Sequence, residues 1–158
     1  MEKQIFRNFT KELAAKLLPA RDPDGHKGDF GRVSITGGSV GFTGAPVLAA
    51  YGAARSGSGL VFLDVPEPVY GIVAGHCLEV MPSPLPAARG KISKDAFFPI
   101  LERLNGCDAG LLGPGLGRSQ DLSKLMSKIL EETETPLIID ADGLYAIKDR
   151  KEILQKRW

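Results

Sequence analysis

Short apolar segments that run directly into glycine-rich or acidic turns are the feature of this chain that most restricts its fold. Three such segments occur in the 158 residues, at 32–36, 109–112 and 137–140, and another apolar run lies at 60–64. Strands that are apolar along their whole length are typical of parallel sheets buried on both faces. Because helical segments lie between them, we predict an α/β protein with a mostly parallel sheet and helices on both faces.

Helices are predicted where apolar residues recur at spacings of three and four. Capping residues or a proline suited to the first turn mark their expected starts. These starts are Thr10, Ala45, Glu67, Ser93 and Ser119, with the first helix ending at Pro19. Residues 78–81 are predicted to form a further strand. A loop is expected to follow it at Pro82, Pro84 and Pro86, because proline cannot donate a hydrogen bond to a sheet.

The charge balance argues against nucleic acid or an anionic membrane as a partner. Lysine and arginine number 20 and aspartate and glutamate 19, which gives a net charge of +1, and the cations are scattered. No apolar stretch approaches the ~20 residues needed to span a bilayer, and residues 1–5 show no secretory signal. Cys77 and Cys107 form no metal-binding pattern, which predicts two reduced thiols. A soluble, cytoplasmic protein is expected.

The loop at 37–44 is the first candidate for chemistry. Ligands of open parallel sheets bind beyond the carboxyl ends of the strands, and this loop follows the strand at 32–36 and precedes a helix. Backbone amides there can approach an anion, aided by the helix dipole. The loop is not a Walker A motif, because Ala45 follows Gly44 and no Gly-Lys-Ser/Thr occurs. A tight turn that feeds a close-packed helix is the alternative.

Two further turns are expected at the same edge of the sheet. Residues 113–117 follow a buried strand but lack the full dinucleotide-binding spacing. Asp140 and Asp142 end the next strand, where they could hold a metal-bound phosphate, accept a hydroxyl proton, or cap a helix. His26 and Lys27 lie in the loop before the first strand, where they could contact anionic ligand groups or cap a turn. No set of metal-ligating side chains is predicted.

Taken together, these stretches resemble the ADP-dependent NAD(P)H-hydrate dehydratase family, over about residues 21–144 and in the family's order and spacing. The motifs that carry the resemblance are His26-Lys27-Gly28-Asp29-Phe30-Gly31-Arg32, Gly37-Gly38-Ser39 with Gly41-Phe42-Thr43-Gly44-Ala45-Pro46, Arg55-Ser56-Gly57-Ser58-Gly59-Leu60-Val61, Gly113-Pro114-Gly115-Leu116-Gly117 and Asp140-Ala141-Asp142-Gly143-Leu144.

The resemblance implies a ribokinase-like three-layer sandwich and a repair reaction on a small-molecule substrate. The family restores NADH or NADPH from NAD(P)H-hydrate with ADP, or ATP in some members, and Mg²⁺, and it tends to form homo-oligomers. By motif, Ala45 and Gly115 would contact the hydrate, Gly44 and Gly113 would shape those contacts, and Asp140 and Asp142 would line the same cleft. Further possible ligand contacts are His26, Lys27, Gly38, Ser39 and Thr43.

The sequence also departs from the family. Members continue with Pro-His-Pro-Gly-Glu, a nucleotide-binding Lys-Gly segment and Gly-Gly-Thr-Gly-Asp, which supplies an anion hole and the expected base, and none of these follows Leu144. We therefore expect residues 1–158 to be the N-terminal part of one truncated dehydratase domain, with no assigned catalytic residue. Such a chain would be inactive or incomplete, and its unpaired sheet edge would favour self-association.

Two other functions are compatible with the same residues. One is a small-molecule kinase of the ribokinase superfold, which the His-Lys-Gly and Gly-Phe-Thr-Gly-Ala stretches make less favourable. The other is a non-catalytic module, either a nucleotide-binding remnant or half of a split enzyme.

Overall fold

A five-stranded parallel sheet forms the centre of the computed structural model, which describes residues 10–18, 20–150 and 152–155. The strands follow the order β3-β2-β1-β6-β7, and a separate antiparallel hairpin pairs β4 with β5. The strands are β1 (Arg32–Thr36), β2 (Leu60–Pro66), β3 (Met81–Leu85), β4 (Ala87–Ala88), β5 (Lys91–Ile92), β6 (Ala109–Leu112) and β7 (Leu137–Ile139).

Helices cover both faces of the sheet. The helices are α1 (Lys11–Leu17), α2 (Gly44–Arg55), α3 (Glu67–Ala74), α4 (Phe97–Asn105), α5 (Gln120–Glu132), α6 (Asp142–Ala146) and α7 (Glu152–Gln155), with 3₁₀ turns at Lys27–Phe30 and Lys94–Ala96. Helices α2 and α3 pack on one face, over Ile35, Leu63 and Val65, while α4 and α5 pack on the other, over Leu112. This three-layer α/β arrangement confirms the predicted fold class.

The strand register brings three loops to one edge of the sheet. Thr36, the last residue of β1, pairs with Leu112, the last residue of β6. Leu112 in turn pairs with Ile139 at the end of β7. The segments that follow these strands therefore leave the sheet side by side at its carboxyl edge.

Three of the five predicted helix starts are confirmed by their caps. The side chain of Thr10 accepts a hydrogen bond from the amide of Leu13 at 3.2 Å, and that of Ser119 accepts one from Leu122 at 3.1 Å. Ser93 accepts from the amide of Asp95 at 3.3 Å and so caps the 3₁₀ turn that leads into α4. The predicted end of the first helix at Pro19 lies outside the described residues.

The prediction of a loop at Pro82 and Pro84 is wrong, because both residues lie inside β3. The predicted strand at 78–81 is correspondingly displaced, and only its last residue, Met81, belongs to β3. The prolines alternate along the strand, so their missing N–H groups fall on the same side. Among the described strands β3 lies at the edge and pairs only with β2, so the prolines can turn that side outward without losing a ladder bond.

The prediction that the strand at 137–140 is buried is also wrong. The strand ends at Ile139, and the side chain of Ile138 is 67% exposed. In the described part of the chain β7 pairs only with β6. Helices α2 and α3 pack over β1, β2 and β3, so none of the described helices covers the face of β7 that carries Ile138. No described helix is both long and apolar enough to cross a membrane.

Candidate functional site

The loops 37–44 and 113–117, hereafter the two glycine loops, are bonded to each other at the carboxyl edge of the sheet. The amide of Gly38 donates to the carbonyl of Pro114 at 2.9 Å, and the hydroxyl of Ser39 donates to the carbonyl of Gly115 at 2.8 Å. Gly38 and Ser39 are both buried. Gly38 and Ser39 therefore join the two loops. Their contacts with a ligand stay a prediction.

Two of the glycines are required by this close approach. A Cβ on Gly37 would collide with the carbonyl of Pro114. A Cβ on Gly115 would stand 2.7 Å from the carbonyl oxygen of Phe42, and the φ of Gly115 is +66°, a conformation that favours glycine. Loop 37–44 is therefore also a tight turn, as the alternative interpretation held, and this turn brings the two loops together.

Open backbone amides lie where the two glycine loops meet. Gly44 and Ala45 form the first turn of α2, where amides have no partner inside the helix. Among the described residues no acceptor is bonded to the amides of Ala45 and Gly115. The side-chain carbon of Ala45 lies 3.5 Å from the Cβ position of Gly115, so the two residues are neighbours across the two loops. Donors at a helix N-terminus favour an anionic or strongly polar ligand group.

Thr43 precedes this first turn as the N-cap residue of α2, but its side chain makes no capping hydrogen bond. It is half-buried, and Gly44 next to it is exposed, with no atom within 4 Å of its Cβ position. Both residues therefore lie beside the open amides, as predicted for ligand contacts, and their roles remain predictions.

The third turn, at Asp140–Gly143, packs against Gly113. The amide of Asp140 donates to the carbonyl of Leu112 at 3.0 Å, which extends the pairing of β6 and β7. A Cβ on Gly113 would collide with the carbonyl of Asp140 and would stand 2.7 Å from the amide of Gly143. The prediction that all three turns meet at one edge is therefore confirmed by their direct contact.

The two acids of this turn have different surroundings. The carboxylate of Asp142 accepts hydrogen bonds from the amide of Gly117 at 3.0 Å and from Nε of Arg118 at 2.9 Å. Hydrogen bonding to Asp142 also raises the pKa of Arg118. Asp142 is the first residue of α6 and not its N-cap, so the capping alternative is wrong for this residue. Asp140 is exposed beside the site.

Ala141, between the two acids, is strained. Its φ is +45° and its ψ −111°, a backbone region that residues with a side chain rarely adopt. Such conformations cost about 1–3 kcal/mol and cluster at ligand sites. The strain is held by the hydrogen bond from the amide of Gly143 to the carbonyl of Asp140 at 2.8 Å.

His26 and Lys27 are not brought to the glycine loops. They precede β1, so they lie at the amino edge of the sheet, where the carbonyl of Lys27 packs against Gly59 at the start of β2. His26 caps the 3₁₀ turn, with Nδ1 2.8 Å from the carboxylate of Asp29 and its amide bonded to the same carboxylate. The turn-capping alternative is confirmed for His26, and ligand contacts at this edge stay a prediction.

The hairpin at 87–92, which combines β4 and β5, was not predicted. Its turn residue Gly90 accepts a hydrogen bond from the amide of Val40 at 2.9 Å. The Cε of Lys91 lies 3.0 Å from the Cβ position of Gly117. The hairpin thus contacts both glycine loops. The only sequence signal for it was Arg89-Gly90 between two short segments, and the neighbouring prolines obscured it.

A buried acid beneath the loops also escaped prediction. The side chain of Asp64 is 2% exposed, and Nε of Arg103 lies 3.6 Å from it. Burial raises the pKa of Asp64 to about 6, although Arg103 acts against this. The carbonyl of Asp64 accepts from the amide of Gly37 at 3.1 Å, so the residue that carries this acid also supports the first glycine loop.

Metal-ligating side chains do not converge in the described ranges, where no group of three or more His, Cys, Asp and Glu residues is placed to hold an ion. Cys77 and Cys107 are both free and half-buried, and burial raises the pKa of each thiol.

Sequence comparisons place this geometry among known proteins. Residues 33–157 match the Carb_kinase family, described as NAD(P)H-hydrate dehydratase. The chain is 43% identical over 149 residues to the bifunctional NAD(P)H-hydrate repair enzyme Nnr of Moorella thermoacetica, a match that covers 94% of this chain and 28% of that enzyme. It is 32% identical over 140 residues to the ATP-dependent (S)-NAD(P)H-hydrate dehydratase of Caenorhabditis elegans, covering 87% of this chain and 43% of that enzyme.

Solved structures with the same fold agree with this result. A ribokinase-like superfamily protein of Enterococcus faecalis matches with a TM-score of 0.75 at 23% identity, over 94% of this chain and 51% of its own. The ADP/ATP-dependent NAD(P)H-hydrate dehydratase of Bacillus subtilis, co-crystallised with ATP and Mg²⁺, matches with a TM-score of 0.67 at 26% identity, over 85% and 46%. The chain spans from about a quarter to about half of the length of these relatives. On its sequence and its fold, the chain belongs to the NAD(P)H-hydrate dehydratase family.

Proposed function

We propose that this chain forms the substrate-binding part of an enzyme that restores NADH or NADPH from its hydrated form, driven by ADP or ATP. The observation that carries the proposal is that Ala45 and Gly115, neighbours at the carboxyl edge of the sheet, both have amides with no bonded acceptor among the described residues. Family membership supplies the reaction. The amides supply donors for a polar group of the hydrate.

The chemistry explains why a nucleotide is needed. Hydroxide is a poor leaving group, so the hydroxyl group of the hydrate first loses its proton to a base, and its oxygen takes the terminal phosphoryl group of ADP or ATP, which leaves as AMP or ADP. The carbon–oxygen bond then breaks, phosphate leaves with the bonding electrons, the ring nitrogen supplies electrons, and a ring carbon loses a proton to restore the double bond. Phosphoryl transfer depends mainly on positioning and on charge stabilisation. A rigid pair of glycine loops suits the positioning.

Each proposed contact has a distinct structural basis. Ala45 and Gly115 donate their amides to the hydrate, and Gly44 leaves space for it because nothing lies within 4 Å of its Cβ position. Gly113 shapes the contact indirectly, because the turn at Asp140 fills the place where a side chain would be. Asp140 is exposed at the same edge of the sheet and lines the proposed cleft. Asp142 acts indirectly, because its carboxylate holds the amide of Gly117 and the side chain of Arg118.

Mg²⁺ is implied by the family, but the described residues do not fit a cation site of their own.

We further propose that residues 1–158 make up the N-terminal part of one dehydratase domain and that this chain alone does not complete the reaction. The sequence contains no Gly-Gly-Thr-Gly-Asp segment to supply the base. A cytoplasmic location and a homo-oligomeric state belong to the same proposal.

The test combines a binding measurement with an activity measurement. Calorimetry with NADPH-hydrate should show binding to this chain, and Gly115→Ala should weaken it at least tenfold. Recovery of NADH from its hydrate, followed at the reduced-nicotinamide absorbance band with ADP and Mg²⁺, should be absent, while the Moorella relative serves as the positive control. Failure to bind the hydrate would overturn the assigned site. Recovery above background would overturn the claim that the chain is incomplete.

A further inference from the structure

A cationic cavity lies next to the two glycine loops. It has a volume of about 560 Å³ and opens between the hairpin at 87–92 and the start of α5. Pockets for small ligands typically measure about 300–1,000 Å³. Its charged lining consists of Arg89, Lys91, Lys94 and Arg118 with Asp95 and Asp121.

The lining holds more positive charge than its own acids can balance. Arg89, Lys91 and Lys94 have no ion pair within the part of the chain that the structure describes. Arg118 is bonded to Asp142, which lies outside the cavity lining. Apart from the pair of Arg118 with Asp142, three cations therefore face two acids in one cavity, an excess of one positive charge.

The hairpin that lines the cavity also packs against the loops that carry the proposed hydrate site. The stem of Lys91 passes along Gly117, with Cε 3.0 Å and Cδ 3.3 Å from the Cβ position of that glycine. Gly117 belongs to the loop that presents the open amide of Gly115. Gly90 is bonded to Val40 of the other glycine loop at 2.9 Å.

The tip of the hairpin is held in an unfavourable conformation. Arg89 has a φ of +51°, a region that residues with a side chain rarely adopt. Next to it, Gly90 has a φ of +73°, and its Cβ position is 2.7 Å from a side-chain carbon of Val40. The close packing of Gly90 against Val40 therefore holds the hairpin in place. It keeps Arg89, in its unfavourable conformation, at the cavity.

We propose that this cavity binds a phosphate group of the nucleotide, while the open amides of Ala45 and Gly115 hold the hydrated ring. The proposal rests on the proposed function for the identity of the nucleotide, but the presence of a phosphate site does not depend on it. Lysine and arginine are the side chains that bind phosphate most strongly, and their attraction weakens with salt.

Calorimetric titration with inorganic pyrophosphate tests the site without the dehydration reaction. The variants are Lys91→Gln/Lys94→Gln and, separately, Arg89→Gln. Arg55→Gln is the matched control, because Arg55 is an exposed cation at the other end of α2. Wild type and Arg55→Gln should bind equally, both cavity variants should lose at least tenfold in affinity, and added salt should weaken the wild type. A thermal melt of each variant verifies that it is folded.

Displacement of pyrophosphate by nucleotides identifies the phosphate. Displacement by NADH and NADPH alike assigns the diphosphate bridge, displacement by NADPH alone assigns the ribose phosphate, and displacement by ADP alone assigns the phosphoryl donor. If wild type and the cavity variants bind pyrophosphate equally, the proposed phosphate site is wrong. It is also wrong if no nucleotide displaces pyrophosphate from the wild type. Intact phosphate binding together with no affinity for the hydrate would instead contradict the proposed function and leave the anion site standing.

Discussion

The carboxylate of Asp142 accepts a hydrogen bond from the amide of Gly117 at 3.0 Å, across 25 residues of sequence. The same carboxylate pairs with Arg118 at 2.9 Å. One side chain from the turn after β7 therefore fixes the end of the second glycine loop. The loop that presents Gly115 depends on this bond for its position.

Loss of this carboxylate should destabilise the protein. Asp142→Ala removes an acceptor that is charged and only 19% exposed, and hydrogen bonds to charged groups contribute about 1.5–3 kcal/mol. We expect the free energy of unfolding in urea to fall by about 2 kcal/mol. Asp140→Ala is the matched control. Because Asp140 is exposed, this substitution should change the free energy of unfolding by less than about 0.5 kcal/mol. Equal effects of the two substitutions would show that the bond to Gly117 does not hold the loop.

Alanine at two site glycines should give opposite results. Gly115→Ala forces a Cβ to within 2.7 Å of the carbonyl of Phe42 at a positive φ, so the protein should lose about 1–2 kcal/mol of stability. Gly44→Ala adds a methyl group to open space in the first turn of α2 and should leave stability unchanged or raise it by up to about 1 kcal/mol. Urea denaturation of the pair distinguishes them. A destabilised Gly44→Ala would mean that the first turn of α2 is more constrained than the structure shows.

Features set by local sequence were predictable here. Spacing of apolar residues gave α5, and its cap at Ser119 was evident from the residue type. The convergence of the three turns followed from a general rule for parallel sheets, which needs only the strand order along the chain. The loops themselves were recognisable because their glycines follow apolar strands directly.

Features set by contacts between distant residues were not predictable. Asp64 and Arg103 are 39 residues apart, and nothing near either residue indicates that they pair. The prolines of β3 suggest a loop until the strand is known to be at the edge of the sheet. Asp142 carries the same side chain as Asp140, and only the position of Gly117 decides which of them is bonded.

The exposed edge at β7 should cause self-association. Ile138 is 67% exposed on a strand that pairs on one side only in the described ranges, and such edges template pairing with other chains. Light scattering with size-exclusion chromatography should give a mass that rises with protein concentration, and Ile138→Lys should suppress the rise. Leu78→Lys is the control, because Leu78 is 92% exposed but lies outside the sheet. A wild type that stays monomeric and melts sharply at every concentration would contradict this prediction.

The buried carboxyl of Asp64 should make stability depend on pH. Its pKa is raised from 3.8 to about 6, mainly by burial. Between these values the folded state binds more protons than the unfolded state, so the free energy of unfolding falls as the pH rises through this window. The contribution is fully present below about pH 4 and is lost above about pH 6, and a shift of this size corresponds to about 3 kcal/mol.

Asp64→Asn tests this dependence, because asparagine cannot titrate and keeps the shape of the side chain. From pH 4 to pH 7, the stability of the variant relative to wild type in urea should rise by about 3 kcal/mol. Arg103→Gln removes the cation that lowers the pKa of Asp64, so in that variant the loss of stability should extend to higher pH. Parallel pH profiles for wild type and Asp64→Asn would show that Asp64 stays ionised in the folded protein. The 3.6 Å approach of Arg103 would then outweigh the cost of burial.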